Sequence, residues 1–242
     1  LMTINAATSG TVVLNPQTIA KSYDDTAANL AAAFDGITTS AATLTITDGT
    51  PAGTIAELMT INAATSGNVV LNAETNAAAY SDTAANLITA FTGTAAHTGT
   101  LLVSNTDIVF AADLKLIDTF SSSDIIVSSA SEISGSAADI IAVIPDDGDV
   151  TLSPAVNITI TGAAPTIEDL ATINGATSGA VVVSSTTNAA TFIDTAANLA
   201  AAYDGITTLT STLTITGTDP ATVAQLMTIN AATSGTVVLN PQ

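Results

Sequence analysis

Cysteine and tryptophan are absent from this 242-residue chain, and lysine and arginine together number only two. Without cysteine there are no disulfides and no thiolate metal sites, although that absence leaves the compartment open. Lys21 and Lys115 cannot build a basic patch, and against 21 Asp and Glu they leave a formal charge of −19. A surface of that sign repels phosphate backbones and anionic membranes, which excludes nucleic-acid binding. Tryptic sites are equally scarce, as suits a protein exposed to proteases. Aromatic residues make up 3% of the chain, so any core is built from small, similar side chains. No apolar run reaches the ~18 residues of a membrane span, and no signal peptide or lipidation motif occurs. Because the chain opens at Leu1 inside a repeat, those missing signals say nothing about its destination.

Enzyme signatures are missing too. The one histidine, His97, sits in "TAAHTGT" and reads as a solvated loop residue. A triad or a multi-histidine metal site is therefore not available. There is no P-loop, Rossmann glycine pattern or HExxH. We expect no enzyme and no obligatory cofactor.

What the chain does have is repetition. The motif L-x-x-I-x-x-x-x-S-[GS] starts at residues 1, 58, 114, 170 and 226, at intervals of 57, 56, 56 and 56. Four copies stay close to "LMTINAATSG", and the third, "LKLIDTFSSS", is diverged but in register. A second motif alternates with it: "DTAANLAAAFDGIT" at 25–38, "DTAANLITAFTGT" at 82–94, "GSAADIIAVIPDDG" at 135–148 and "DTAANLAAAYDGIT" at 194–207.

Each half-unit reads as a helix followed by a strand. In the first half, Pro51 and Pro220 are expected in a first helical turn, where a missing N–H costs nothing. Apolar residues at Ile55, Leu58 and Ile61, and at Val223, Leu226 and Ile229, line one face, and Gly67, Gly179 and Gly235 stand where a glycine cap belongs. In the second half Asp25, Asp82 and Asp194 are expected as N-caps of Ala-rich helices that stop near Gly36, Gly93 and Gly205. β-Branched runs predict strands near residues 11, 43, 68, 100, 124, 157, 180, 212 and 236.

A βαβα unit repeated about four times implies parallel strands, and same-handed crossovers put every helix on one side of a growing sheet. Strands sit ~4.8 Å apart while helices need ~8–10 Å, so such a sheet bends. The fold expected is a parallel α/β solenoid, a curved or superhelical rod, with residues 1–242 as one repeat array without separate domains. Helices alternating between two faces are the rival arrangement. Residues 130–156 form a diverged region.

Two features invite a ligand reading. The run "DDGD" offers Asp146, Asp147 and Asp149 around a glycine as a weak calcium site, although it lacks the rest of an EF-hand. Thr43, Thr45 and Thr47, with Thr212, Thr214 and Thr216, repeat the T-x-T spacing of ice-binding faces, a remote alternative because other strands interrupt the ranks.

The succession of strand, "TVAQLMTINAATSG", strand and "DTAANL" resembles tandem repeats of very large secreted and surface proteins of cyanobacteria and other aquatic bacteria. Some of those proteins also carry haemolysin-type calcium repeats. The resemblance covers nearly the whole chain and implies an extracellular setting. It implies a structural segment of a fibre, sheath or surface layer, or else an adhesin or RTX-like spacer arm.

Residues 1–17 and 226–242 are identical, "LMTINAATSGTVVLNPQ". The expectation is that both segments fold alike and that the array continues, either covalently or by head-to-tail association of the protein with itself. Such addition does not close and generates filaments.

Overall fold

In the computed structural model every described residue lies in short parallel strands, helices or their connections. The described residues are all except 20, 38, 39, 51, 145–148, 185–187, 189, 207, 208, 241 and 242. The contacts gather the chain into two units, residues 1–104 with 116–127 and residues 105–115 with 128–242.

The first unit runs α1 (Met2–Ala6), α2 (Pro16–Ile19), β1 (Tyr23–Asp25), α3 (Ala27–Phe34), β2 (Leu44–Ile46), α4 (Ile55–Ala64) and β3 (Val69–Val70). It continues with α5 (Ala73–Ala77), β4 (Tyr80–Asp82), α6 (Ala84–Phe91) and β5 (Leu101–Val103). Strand β6 (Ile108–Phe110) belongs to the second unit, helix α7 (Ala111–Phe120) is divided between the two, and β7 (Ile125–Val127) completes the first. The second unit then runs β8 (Glu132–Gly135), α8 (Ala137–Val143), β9 (Val150–Leu152), β10 (Asn157–Ile160), α9 (Ile167–Gly175) and β11 (Val181–Val183). Its last elements are β12 (Phe192–Thr195), α10 (Ala196–Tyr203), β13 (Leu213–Thr216), α11 (Val223–Ala232) and β14 (Val237–Leu239).

All registered strand pairs are parallel. Tyr23 faces Leu44, which faces Val69, and Phe192 faces Leu213, which faces Val237. The inward positions are the apolar ones: Leu44, Ile46, Leu101, Val103, Ile125 and Leu213 are fully buried. Consecutive helices pack on one another, α1 on α3, α3 on α4 and α4 on α6, and in the second unit α8 on α9, α9 on α10 and α10 on α11. Leu30, Leu58, Leu87, Leu170 and Leu199, each at most 3% exposed, fill the space between the helices and the strands.

The ladder is not one continuous sheet but four small ones. One of the divisions is local. Between β3 and β4 the chain inserts α5, capped by Asn72, so that β3 pairs back to β2 while β4 pairs forward to β5. Among the described residues, the isolated bridge from Val69 to Thr94 carries the ladder past that point.

Six strands escaped the propensity reading: β1, β4, β6, β8, β9 and β12. Sequences such as "YDD" and "YSD" have little intrinsic β preference, and they are extended because β2 and β5 supply their hydrogen-bond partners. The strand expected near residue 11 does not form. The identical residues at β14 pair with β13, whereas residues 11–14 pair with no strand among the described residues.

The helix starts are also shifted from expectation. The N-caps are Thr26, Thr83 and Thr195, one residue after each aspartate. In the first half-units the caps are Thr54, Thr166 and Thr222, each in a capping box with Glu57, Asp169 or Gln225. Pro220 therefore precedes the cap instead of opening the helix, and Pro51 lies outside the described residues. Gly36, Gly93 and Gly205 do stop helices, in the left-handed region at φ of 72°, 81° and 77°.

Candidate functional site

The acidic run does not assemble a site that can be described. Asp146 and Asp147 lie outside the described residues, and Asp149 is exposed just ahead of β9. Among the described residues no three of His, Asp and Glu converge as metal ligands. Thr45 has Asp24 and Val70 as its cross-strand neighbours, and Thr159 has Ser134 and Val182. The threonines therefore do not continue from strand to strand as ranks.

His97 corrects the expectation of a solvated loop residue, because it is fully buried. Its ring lies 4.6 Å from that of Phe91 and 5.5 Å from that of Tyr80, with Phe120 stacked 6.0 Å beyond Phe91. Nε2 lies 3.1 Å from the Ala78 carbonyl, which only accepts, so Nε2 carries the proton. Nδ1 is buried without a partner. Burial holds the imidazole pKa below its usual value, and the Ala78 carbonyl opposes that shift. The signal available in the sequence was register: His97 stands 57 residues after Ser40, which is also buried. Beside it, burial together with Asp48 and Glu57 pushes the Tyr80 phenol up to about 12. The Tyr80 hydroxyl donates to the Gly53 carbonyl at 2.8 Å.

The polar residues that recur in the sequence fasten one turn of chain to the next. In three of the four intact "TSG" triplets the threonine hydroxyl donates to a carbonyl 21 to 23 residues earlier at 2.6 Å: Thr65 to Ala42, Thr177 to Val156 and Thr233 to Ser211. The same oxygen accepts from the glycine N–H two residues on, at 2.9 Å each time. The serine N–H donates to the carbonyl of Ser40, Pro154 or Leu209 at 2.8 Å.

Gly67, Gly179 and Gly235 are thus not helix caps in a left-handed conformation. They are glycines because a Cβ would stand 2.3 to 2.4 Å from the carbonyl oxygen of Ala42, Val156 or Ser211. The diverged copy carries Ser123 at this place, and its Ser121 hydroxyl turns inward to the Ser123 carbonyl instead. There the tight glycine stands one strand earlier, at Gly99, against the Ala78 carbonyl.

The "DTAAN" motif is a closed local network. The Asp25 carboxylate accepts from the Thr26 N–H and the Asn29 side chain at 2.8 Å, while the Thr26 hydroxyl accepts from the Asn29 N–H. Asp82 and Asp194 repeat these bonds. The Asn29 amide, then the Thr26 N–H, hold the Asp25 pKa below the usual carboxylate range. In the diverged copy glycine replaces the aspartate and Asp139 replaces the asparagine. Asp139 accepts from the Ser136 hydroxyl and from Lys115 Nζ at 2.9 Å, and both partners lower its pKa. Lys115 therefore compensates a local substitution and offers no free cation to a ligand.

A third recurring bond links helices. Asn62 Nδ2 donates to the Thr89 carbonyl near the end of α6, Asn5 to those of Ala32 and Asp35, and Asn174 to those of Ala201 and Asp204. Each satisfies carbonyls that a helix end leaves open. Comparison with protein families, curated proteins and solved structures finds no match to this chain.

Proposed function

We propose that this chain is a structural repeat segment of an extracellular fibre, sheath or surface layer. In this reading the coils form one curved or superhelical α/β solenoid that continues covalently or by self-association. The observation that carries it is the recurrence of the same bonds with the same partners at the same interval. The "TSG" bonds at 65–67, 177–179 and 233–235 and the "DTAAN" networks at 25–29, 82–86 and 194–198 all hold the chain to itself. In a repeat protein each unit buries its apolar face only against neighbours, and bonds between units that recur, as the "TSG" bonds do, are what an array requires. The net charge of −19 favours a divalent-rich setting, where screening lets acidic surfaces pack laterally.

Electron microscopy of the protein in its native material tests the proposal. Periodic filaments or sheets are the expected result, and isolated flexible arms on cells would replace it with the spacer-arm reading.

A further inference from the structure

The asparagine that links helices has one copy unlike the rest. Where "LMTINAATSG" reads Asn-Ala, as at Asn62–Ala63, helix α9 ends in Asn174–Gly175. A glycine at this place answers no demand of the fold. It is exposed, its φ is not in the left-handed region, and a Cβ built on it would meet nothing within 4 Å. Alanine would hold a helix better, since glycine loses more backbone entropy there. What glycine alone provides is a backbone nitrogen with no side chain crowding it, directly after an asparagine carboxamide.

Asn174 is also the tie between two helices. Its Nδ2 donates to the Asp204 carbonyl at 2.8 Å and to the Ala201 carbonyl at 3.3 Å, at the end of α10. The side chain is only partly buried, and the groove it shares with Ala171, Gly175, Ala201 and Asp204 is open to water. The turn that holds it is the last of α9, closed by the bond from the Ala176 N–H to the Ile173 carbonyl at 3.2 Å. Helix ends open more cheaply than helix centres.

We propose that Asn174–Gly175 is a self-modification site, a slow covalent switch at the joint of α9 and α10. When the last turn of α9 opens, the Gly175 nitrogen attacks Asn174 Cγ. The new N–C bond closes a succinimide ring as the Cγ–Nδ2 bond breaks, and Nδ2 leaves as ammonia, carrying away the Gly175 amide proton. Water then adds at one of the two ring carbonyls: at the backbone carbonyl it leaves isoaspartate, at Cγ it leaves aspartate. Water is the one co-reactant, and nothing is oxidised or reduced. Either product exchanges a donor for a carboxylate. The carbonyls of Ala201 and Asp204 only accept, so both bonds are lost and a negative charge stands at the negative end of the α10 dipole. Isoaspartate also carries the main chain through an extra methylene, for which a helical turn has no place. Asn62, which makes the same kind of bond to α6 but is followed by Ala63, is the inert copy.

The test is incubation of the purified, folded 242-residue chain at mildly alkaline pH, followed by peptic fragmentation and mass spectrometry that separates isoaspartate from aspartate. Asn174 is expected to convert while Asn62 does not. Gly175→Ala keeps the fold, because its Cβ meets nothing within 4 Å, and it firms the last turn. That firming alone lowers the open population about fivefold. The methyl also crowds the attacking nitrogen, so conversion is expected to slow by more than this. Asn174→Asp reproduces one product, and amide exchange at Ala176 is expected to quicken about tenfold as the two bonds are lost. Equal conversion at Asn174 and Asn62, an unchanged rate in Gly175→Ala, or unchanged exchange in Asn174→Asp would overturn the proposal.

Discussion

Gly67→Ala isolates the close approach of strands from every other property of the repeat. The added Cβ would stand 2.4 Å from the Ala42 oxygen and 2.7 Å from that of Ala41. Carbon and carbonyl oxygen ordinarily approach to about 3.3–3.6 Å. The strand must therefore retreat by about 1 Å, and its neighbour is backbone that cannot rotate away. Overpacking of this kind costs about 1–3 kcal/mol. The retreat also strains the bond from the Leu44 N–H to the Asn68 carbonyl at 2.9 Å, which adds about 1 kcal/mol.

A total near 3 kcal/mol corresponds to a fall of about 6–12 °C in melting temperature for a chain of this size. The internal control is Gly10→Ala in an identical "TSG" triplet. There the new Cβ meets only the Thr8 hydroxyl, at 3.3 Å, and the cost stays within about 0.5 kcal/mol. The assay is thermal unfolding by circular dichroism, with amide hydrogen exchange at Leu44 as the local readout. Equal melting temperatures for the two variants, or unchanged exchange at Leu44 in Gly67→Ala, would refute the steric argument.

Three further outcomes are expected. Because the folded chain holds the His97 pKa below its unfolded value near 6.5, the unfolded state takes up the proton first. Stability is then complete above that value and declines as pH falls through it, by at most about 1.4 kcal/mol per pH unit. Melting curves from pH 8 to 5 measure this, and His97→Leu should flatten them over that window; an equally steep variant would exclude His97 as the source. Thr83→Ala removes the N-cap of α6 and should cost about 1 kcal/mol in denaturant unfolding, and a neutral result would show the cap to be dispensable. Calcium and magnesium at equal ionic strength should stabilise the chain alike, since at a net charge of −19 their shared effect is screening of self-repulsion; a calcium-specific rise lost in Asp149→Asn would contradict this.

Much of the fold was legible without coordinates, because the repeat supplies the same pattern several times. The alternation of helix and strand, the parallel pairing, the buried face of Ile55, Leu58 and Ile61 and the stops at Gly36, Gly93 and Gly205 follow from periodicity and turn chemistry within a few residues. Tertiary structure decided what depends on a partner far along the chain. Tyr23–Asp25 is a strand because Leu44–Ile46 lies beside it, and Gly67 must lack a side chain because the Ala42 carbonyl lies against it. His97 is buried because Tyr80 and Phe91 close around it. The two copies of "TINAATSGTVVL" put the distinction most plainly. One ends in a paired strand and the other does not, since hydrogen-bond partners and burial are properties of the neighbours a segment meets, and its own twelve residues cannot specify them.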